Sequence, residues 1–337
     1  MEEHMSRKLL SYTALGLILG NAAIADVPKV AVDIAPVHSL VSRVMEGVGS
    51  PKLIIPAGAS PHEYSLRPSE AKSLQDADMV IWMGEDLAPW MENSIEKLAK
   101  NAEVITVLEA SETKLLDFRE GALFEEHDHG DHDDHDDHDD HDDHDHDKDH
   151  DDHDDHDDHD DHAGHDHGEH DPHAWLSIEN AQTWLNLVAG KLSAADPENA
   201  GVYFGNAAAA RSEIEELSKE VNSILDPVRG RNFVVFHDAY QYFETSFDFP
   251  ASGAISLGDA TDPSASRIAE IQGRVREEGI NCVLSEPQYN PNLVETVLEG
   301  TDAKTGVIDP LGVNLEPGPK LYGDLIRNMA KSLAGCL

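Results

Sequence analysis

The chain has 337 residues, enough for two domains of ordinary size, and a formal net charge of -43. A charge of that sign and size excludes nucleic acid and anionic membrane surfaces as natural partners, because both would repel it, and leaves cations as the fitting ligands. Residues 125–171 alone hold 26 Asp or Glu against one Lys, so about -25 of the charge sits in one stretch and the remainder still carries about -18.

The N-terminus reads as a secretory leader over residues 1–25. Arg7 and Lys8 supply its positive region, residues 9–20 are largely apolar, and Ala23-Ile24-Ala25 matches a small-residue cleavage site. Glu2 and Glu3 stand before the basic pair, which is unusual and marks Met5 as a second candidate start. An uncleaved anchor is the competing reading, and the apolar run is short for a membrane span. Export to the periplasm with a mature start at Asp26 is the expectation.

Short β-branched runs follow at 30–34, 53–55, 79–83 and 104–107. Segments with helical spacing lie between them, at 69–76 and 88–100. Alternation of this kind predicts a parallel sheet with helices on both faces. His38 follows the first run and His62 the second. In open parallel sheets ligands collect beyond the carboxyl ends of the strands, which favours His62. An ordinary hydrogen-bonded role is the expectation for His38.

Residues 125–171 interrupt the pattern. Ala163 is their only apolar residue apart from glycines, so the stretch has no means of burying a core and is expected to be disordered without metal. Its 16 histidines mostly repeat as Asp-Asp-His. A period of three matches neither helix nor strand, so no regular face forms. Imidazole with carboxylates suits several divalent ions, and the prediction is a set of weak, exchanging metal sites. The competing readings are a sensor of such ions at high concentration and a merely solvated acidic linker.

His173 follows directly, in Asp-Pro-His-Ala-Trp ahead of a helical segment. A long helix is predicted over 197–227, with Asp196-Pro197 at its start, an apolar stripe through Ile214, Leu217, Val221, Ile224, Leu225 and Val228, and Asp226-Pro227 at its stop. About 30 helical residues span about 45 Å, long for one small domain and suited to joining two lobes. The predicted boundaries are an N-terminal lobe over 26–196, this linker helix, and a C-terminal lobe over 228–337.

The second part repeats the strand pattern at 233–236, 282–284 and 306–308. His237, Glu286 and Asp309 each stand just after one of these runs. Cys282 and Cys336 form no CxxC motif, which excludes a cysteine zinc knuckle. In an oxidising compartment such a pair is expected to form a disulfide. It would close a loop of about 55 residues, worth about 4 kcal/mol in the chain-entropy model.

Four motifs carry a resemblance: Pro61-His62-Glu63-Tyr64 with Arg67-Pro68-Ser69, Asp171-Pro172-His173-Ala174-Trp175-Leu176, His237-Asp238-Ala239-Tyr240, and Asp309-Pro310-Leu311-Gly312. In this order they resemble the metal-specific substrate-binding proteins of ABC transporters, the zinc-binding ZnuA type in particular, over essentially the whole mature chain. The resemblance implies an α/β fold of two lobes, each with a mainly parallel sheet flanked by helices, joined by one long helix, with the metal in the cleft. It implies that His62, His173, His237 and Asp309 hold Zn2+, and that an inner-membrane permease driven by a cytoplasmic ATPase receives it. Similar manganese proteins typically place Glu at the position of His237, and imidazole suits zinc better than extra carboxylate does. Some zinc members use a Glu just before the first histidine, where this chain has Pro61. The fourth ligand therefore stands open between Asp309 and water, with Glu63 and Glu286 as further alternatives. The cysteine pair also resembles a disulfide of the zinc branch. The expected protein is a monomer and not an enzyme. The alternatives are an exported zinc hydrolase, for which neither HExxH nor GxSxG is present, and a metal buffer without a transporter.

Overall fold

The computed structural model describes residues 27–119, 124, 170–256, 264–289 and 291–337. The expected leader and nearly all of the acidic, histidine-rich run lie outside the described residues.

The first sheet contains β1 (Val30–Val32), β2 (Lys52–Leu53), β3 (Met79–Trp82) and β4 (Glu103–Thr106). The second contains β5 (Phe233–His237), β6 (Ala254–Ser256), β7 (Cys282–Ser285) and β8 (Lys304–Val307). Every pairing is parallel. The strand orders are β2-β1-β3-β4 and β6-β5-β7-β8, so the two halves repeat one topology. The central strands β1, β3 and β5 are buried at every position, as strands covered on both faces must be. Strand β6 has no counterpart among the expected strands, because three residues beside a glycine make too short a run to stand out as one.

In the first half the covering helices are α1 (Ala35–Val44), α2 (Pro68–Gln75) and α3 (Pro89–Leu98). Each has Pro in its first turn, where the missing N–H costs no hydrogen bond. Helix α4 (Ile178–Ala195) starts at Ser177, whose hydroxyl accepts from the Asn180 amide at 3.2 Å. Helix α5 (Ala200–Leu225) has 26 residues and is flanked by single 3-10 turns at Pro197–Asn199 and Asp226–Val228. Its buried stripe runs Tyr203, Ala207, Ala210, Ile214, Leu217, Val221 and Leu225, while Ile224 is only half-buried. The second half adds α6 (Gln241–Phe247), α7 (Ala265–Glu277), α8 (Pro291–Leu298) and α9 (Leu321–Cys336).

One apolar core runs from the first sheet through α4 and α5 into the second half. Helix α9 packs on α5 and on α1, and the Tyr322 amide donates to Ser39 Oγ at 2.9 Å. A smaller core of Val234, Ile255, Ile271, Val283 and Val297 lies on the other face of the second sheet. Cys282 and Cys336 are disulfide-bonded, with their Cα atoms 5.7 Å apart, tying β7 to the end of α9.

Asp33 follows β1 and is fully buried. Its carboxylate accepts from the Ile34 amide at 2.7 Å and from the Met83 amide at 2.6 Å, stitching the ends of β1 and β3. Burial outweighs these two bonds and pushes the carboxyl up to about 7 from 3.8. The native state therefore keeps a proton that the unfolded chain has already released. Stability from this group is full below about pH 4 and is lost as pH rises to about 7. In Asp33→Asn this contribution is expected to be absent. Urea unfolding of both proteins between pH 4 and 8 should show the wild-type advantage shrinking as pH rises. An advantage that grows with pH would contradict the assignment.

Candidate metal centre

Three histidines from three separate segments meet between the halves. His62 lies in the segment joining β2 to α2. His173 stands at the head of the 3-10 turn Ala174–Leu176, and His237 ends β5. Each offers a ring nitrogen, and these nitrogens all lie within 4.8 Å of one another. The Nε2 atoms of His173 and His237 are 3.4 Å apart. Two nitrogens bound at 2.0–2.1 Å to a tetrahedral zinc stand about 3.4 Å apart, so this pair already has the spacing of one tetrahedral edge.

The rings are held by carboxylates. Asp171 Oδ1 meets His173 Nδ1 at 2.6 Å and also accepts from the His173 amide at 2.9 Å. The Asp-Pro-His sequence thus folds back on itself and fixes the ring it carries. Glu286, just after β7, meets His237 Nδ1 at 2.6 Å. Asp171 and Glu286 are both buried. A proton on each Nδ1 shared with a carboxylate leaves the Nε2 lone pair aimed into the centre, the usual arrangement behind a metal-bound histidine. Strands β5 and β7 are neighbours whose connections leave in opposite directions, so His237 and Glu286 sit at the switch point of the second sheet.

The cavity between the rings has about 10 Å³ of free space, room for one small ion or water. Ser60, Pro61, Trp175, Glu286, Gln288, Tyr289, Pro310 and Leu311 complete its wall. The Trp175 ring centroid lies 5.2 Å from that of His173, and its Nε1 donates to Pro310 O at 2.9 Å. Ser60 Oγ and Gln288 Oε1 are buried atoms without a hydrogen-bond partner. Burial first, and then the charge of Glu286, hold the Tyr240 phenol well above its ordinary value, so it stays neutral beside the site. A far larger cavity of about 430 Å³ lies elsewhere, among α1, α5 and α9, and contains no histidine.

Asp309 is placed differently from the three histidines. Its Oδ1 accepts from the amides of Leu311 and Gly312 at 3.1 and 2.9 Å, and its Oδ2 from Val313 at 2.7 Å. It is not in the cluster of ligand atoms. Three amides are ready partners for a carboxylate with no cation beside it. Glu63 is exposed and Glu286 is engaged with His237. His38 is buried on α1, with Nε2 3.3 Å from Pro51 O, and lies outside the cluster.

The orienting role of Asp171 and the lining by Ser60 and Gln288 were not read from the sequence. For Asp171 a signal existed, since Asp two residues before a ligand histidine can cap its own loop.

Comparison with known proteins gives a consistent picture. Residues 30–336 match the family model described as zinc-uptake complex component A, periplasmic. The high-affinity zinc uptake system protein ZnuA of Brucella abortus (strain 2308) is 46% identical over 318 residues, covering 94% of each chain. A crystal structure of ZnuA superposes with a TM-score of 0.69 at 19% identity, covering 92% of this chain and 99% of that one. The Mn2+ complex of FpvC from Pseudomonas aeruginosa gives a TM-score of 0.70 at 18% identity, covering 92% and 98%.

Proposed function

Because this chain belongs to the family of periplasmic zinc-uptake components, we propose that it captures Zn2+ between its two halves and delivers it to a membrane permease. The family consists of substrate-binding proteins of transporters and not of enzymes, so capture and release is the whole task. The observation that carries the reading is the trio of histidine nitrogens within 4.8 Å of one another, two of them already at tetrahedral spacing. His62, His173 and His237 bind the ion through their ring nitrogens. The fourth position goes to water or to Asp309, which would have to exchange amide contacts for the metal. The fold is shared with a manganese complex, so it does not choose the ion. Three imidazoles choose it, because manganese prefers more oxygen ligands.

The mature protein is a periplasmic monomer released from its leader after Ala25. Residues 26–196 and 228–337 form the lobes and 197–227 the linker. The histidine-rich run gathers zinc weakly and supplies it to the cleft. The described anchors of that run support this. His170 Nδ1 meets Asp117 Oδ1 at 2.8 Å, and both lie beside the segment carrying His173. No helix among the described residues is long and apolar enough to cross a membrane.

Deleting residues 125–169 tests the division of labour. Zinc titration should show fewer ions bound in total and one tight site with nearly unchanged affinity. A zinc-limited host lacking its own binding protein should grow with the deletion variant and fail with His62→Ala/His237→Ala. Loss of the tight site on deletion would refute the division. Growth with the double variant would refute the cleft as the point of capture and favour a buffer based on the run.

A further inference from the structure

We propose that Trp90 is the positioning residue that sets His62 for the metal, an inference that rests on the zinc-capture reading above. His173 and His237 gain their orientation from carboxylates at firm strand and turn positions. His62 sits on a connection of turns and bends between β2 and α2, where the backbone itself needs fixing.

One indole supplies that restraint on both sides. Trp90 is the second residue of α3 and is half-buried against the first-half core. Its Nε1 donates to Pro61 O at 2.8 Å, one residue before His62. Its ring meets the Tyr64 ring edge-on at a centroid distance of 5.8 Å, two residues after His62. Tyr64 is fixed in turn, its hydroxyl 2.9 and 3.0 Å from the two Glu70 carboxylate oxygens. Glu70 Oε2 also accepts from the Arg67 amide at 2.7 Å, capping the first turn of α2. The indole therefore links the His62 segment to α3, while Tyr64 and Glu70 link it to α2. Helices α2 and α3 pack together, so the whole frame is one rigid piece of the first half. Removing the indole N–H frees the Pro61 carbonyl and leaves His62 to be ordered by the metal, which costs conformational entropy.

Trp90→Phe removes the donor and keeps an aromatic ring. The experiment follows zinc release into excess chelator for wild type, Trp90→Phe, His62→Ala and the double variant. Trp90→Phe should release zinc roughly three- to tenfold faster than wild type, the factor for one lost hydrogen bond. In the His62→Ala background the same change should have no further effect, because Trp90 acts only through His62. Hydrogen exchange of residues 54–67 should rise in Trp90→Phe while the rest of the chain stays unchanged, and this also shows that the variant is folded. Equal release rates for Trp90→Phe and wild type would overturn the inference, as would the same acceleration with and without His62. Fast, weak zinc binding by wild type itself would remove the capture reading, and the inference with it.

Discussion

Replacing His237 with alanine is expected to weaken zinc binding roughly 10²- to 10³-fold, a quarter share of the ~10–16 kcal/mol that a four-ligand zinc site supplies. His237 is the most strongly placed of the three histidines proposed to bind the ion. It ends a fully buried strand, its Nδ1 meets Glu286 at 2.6 Å, and its Nε2 forms the 3.4 Å edge with His173. Its removal breaks that edge and leaves Glu286 buried without its imidazole. Glu286→Gln keeps the His237 imidazole and weakens only its orientation and basicity, so it should lose about 10- to 100-fold. Competition against a chelator of known affinity measures both variants. A His237→Ala protein within threefold of wild type would remove this residue from the site.

Arg119→Ala is expected to destabilise the fold by about 3–5 kcal/mol, the cost of breaking a buried ion pair by removing one partner. Arg119 has 16% of its side chain exposed, and Asp238 and Glu244 have 5% each. Its guanidinium donates to Asp238 and, at 2.7 Å, to Glu244 Oε2, joining the segment before the histidine-rich run to α6 and to the residue after His237. The Phe124 ring covers the guanidinium, 3.5 Å from Cζ to the ring centroid. Burial raises both carboxyls above their ordinary values and Arg119 draws them back. Without Arg119 two carboxylates would share one buried site, and one would have to take up a proton. Arg119→Lys keeps the charge and loses the two-sided fork, so it should recover part of the stability. Urea unfolding reads the difference, and a loss below about 1 kcal/mol would contradict the buried triad.

Much of the fold was legible locally. The strands at 30–34, 79–83 and 233–236 are apolar, β-branched or aromatic runs, and β1, β3 and β5 occupy those positions. The long helix announced itself through Pro197, its apolar stripe and Pro227, because stripe and stop signals are properties of the chain itself. Strand β6 was illegible, since three residues take their pairing from β5 and from no pattern of their own. The disulfide was legible only as an expectation from export and resemblance, and the bond is present.

The site divides in the same way. The sequence by itself determined which imidazoles were available and that each stood at a strand or turn end. Their convergence within 4.8 Å was decided by the packing of two sheets with one repeated order around α4, α5 and α9. The roles of the acids were also decided there. Asp309, Glu286 and Asp171 are alike in sequence as carboxylates beside conspicuous motifs. In space, Asp309 meets three amides while Glu286 and Asp171 each meet an imidazole Nδ1. A carboxylate's role follows from the donor nearest its oxygens, and for residues distant in the chain that neighbour exists only once the fold has formed.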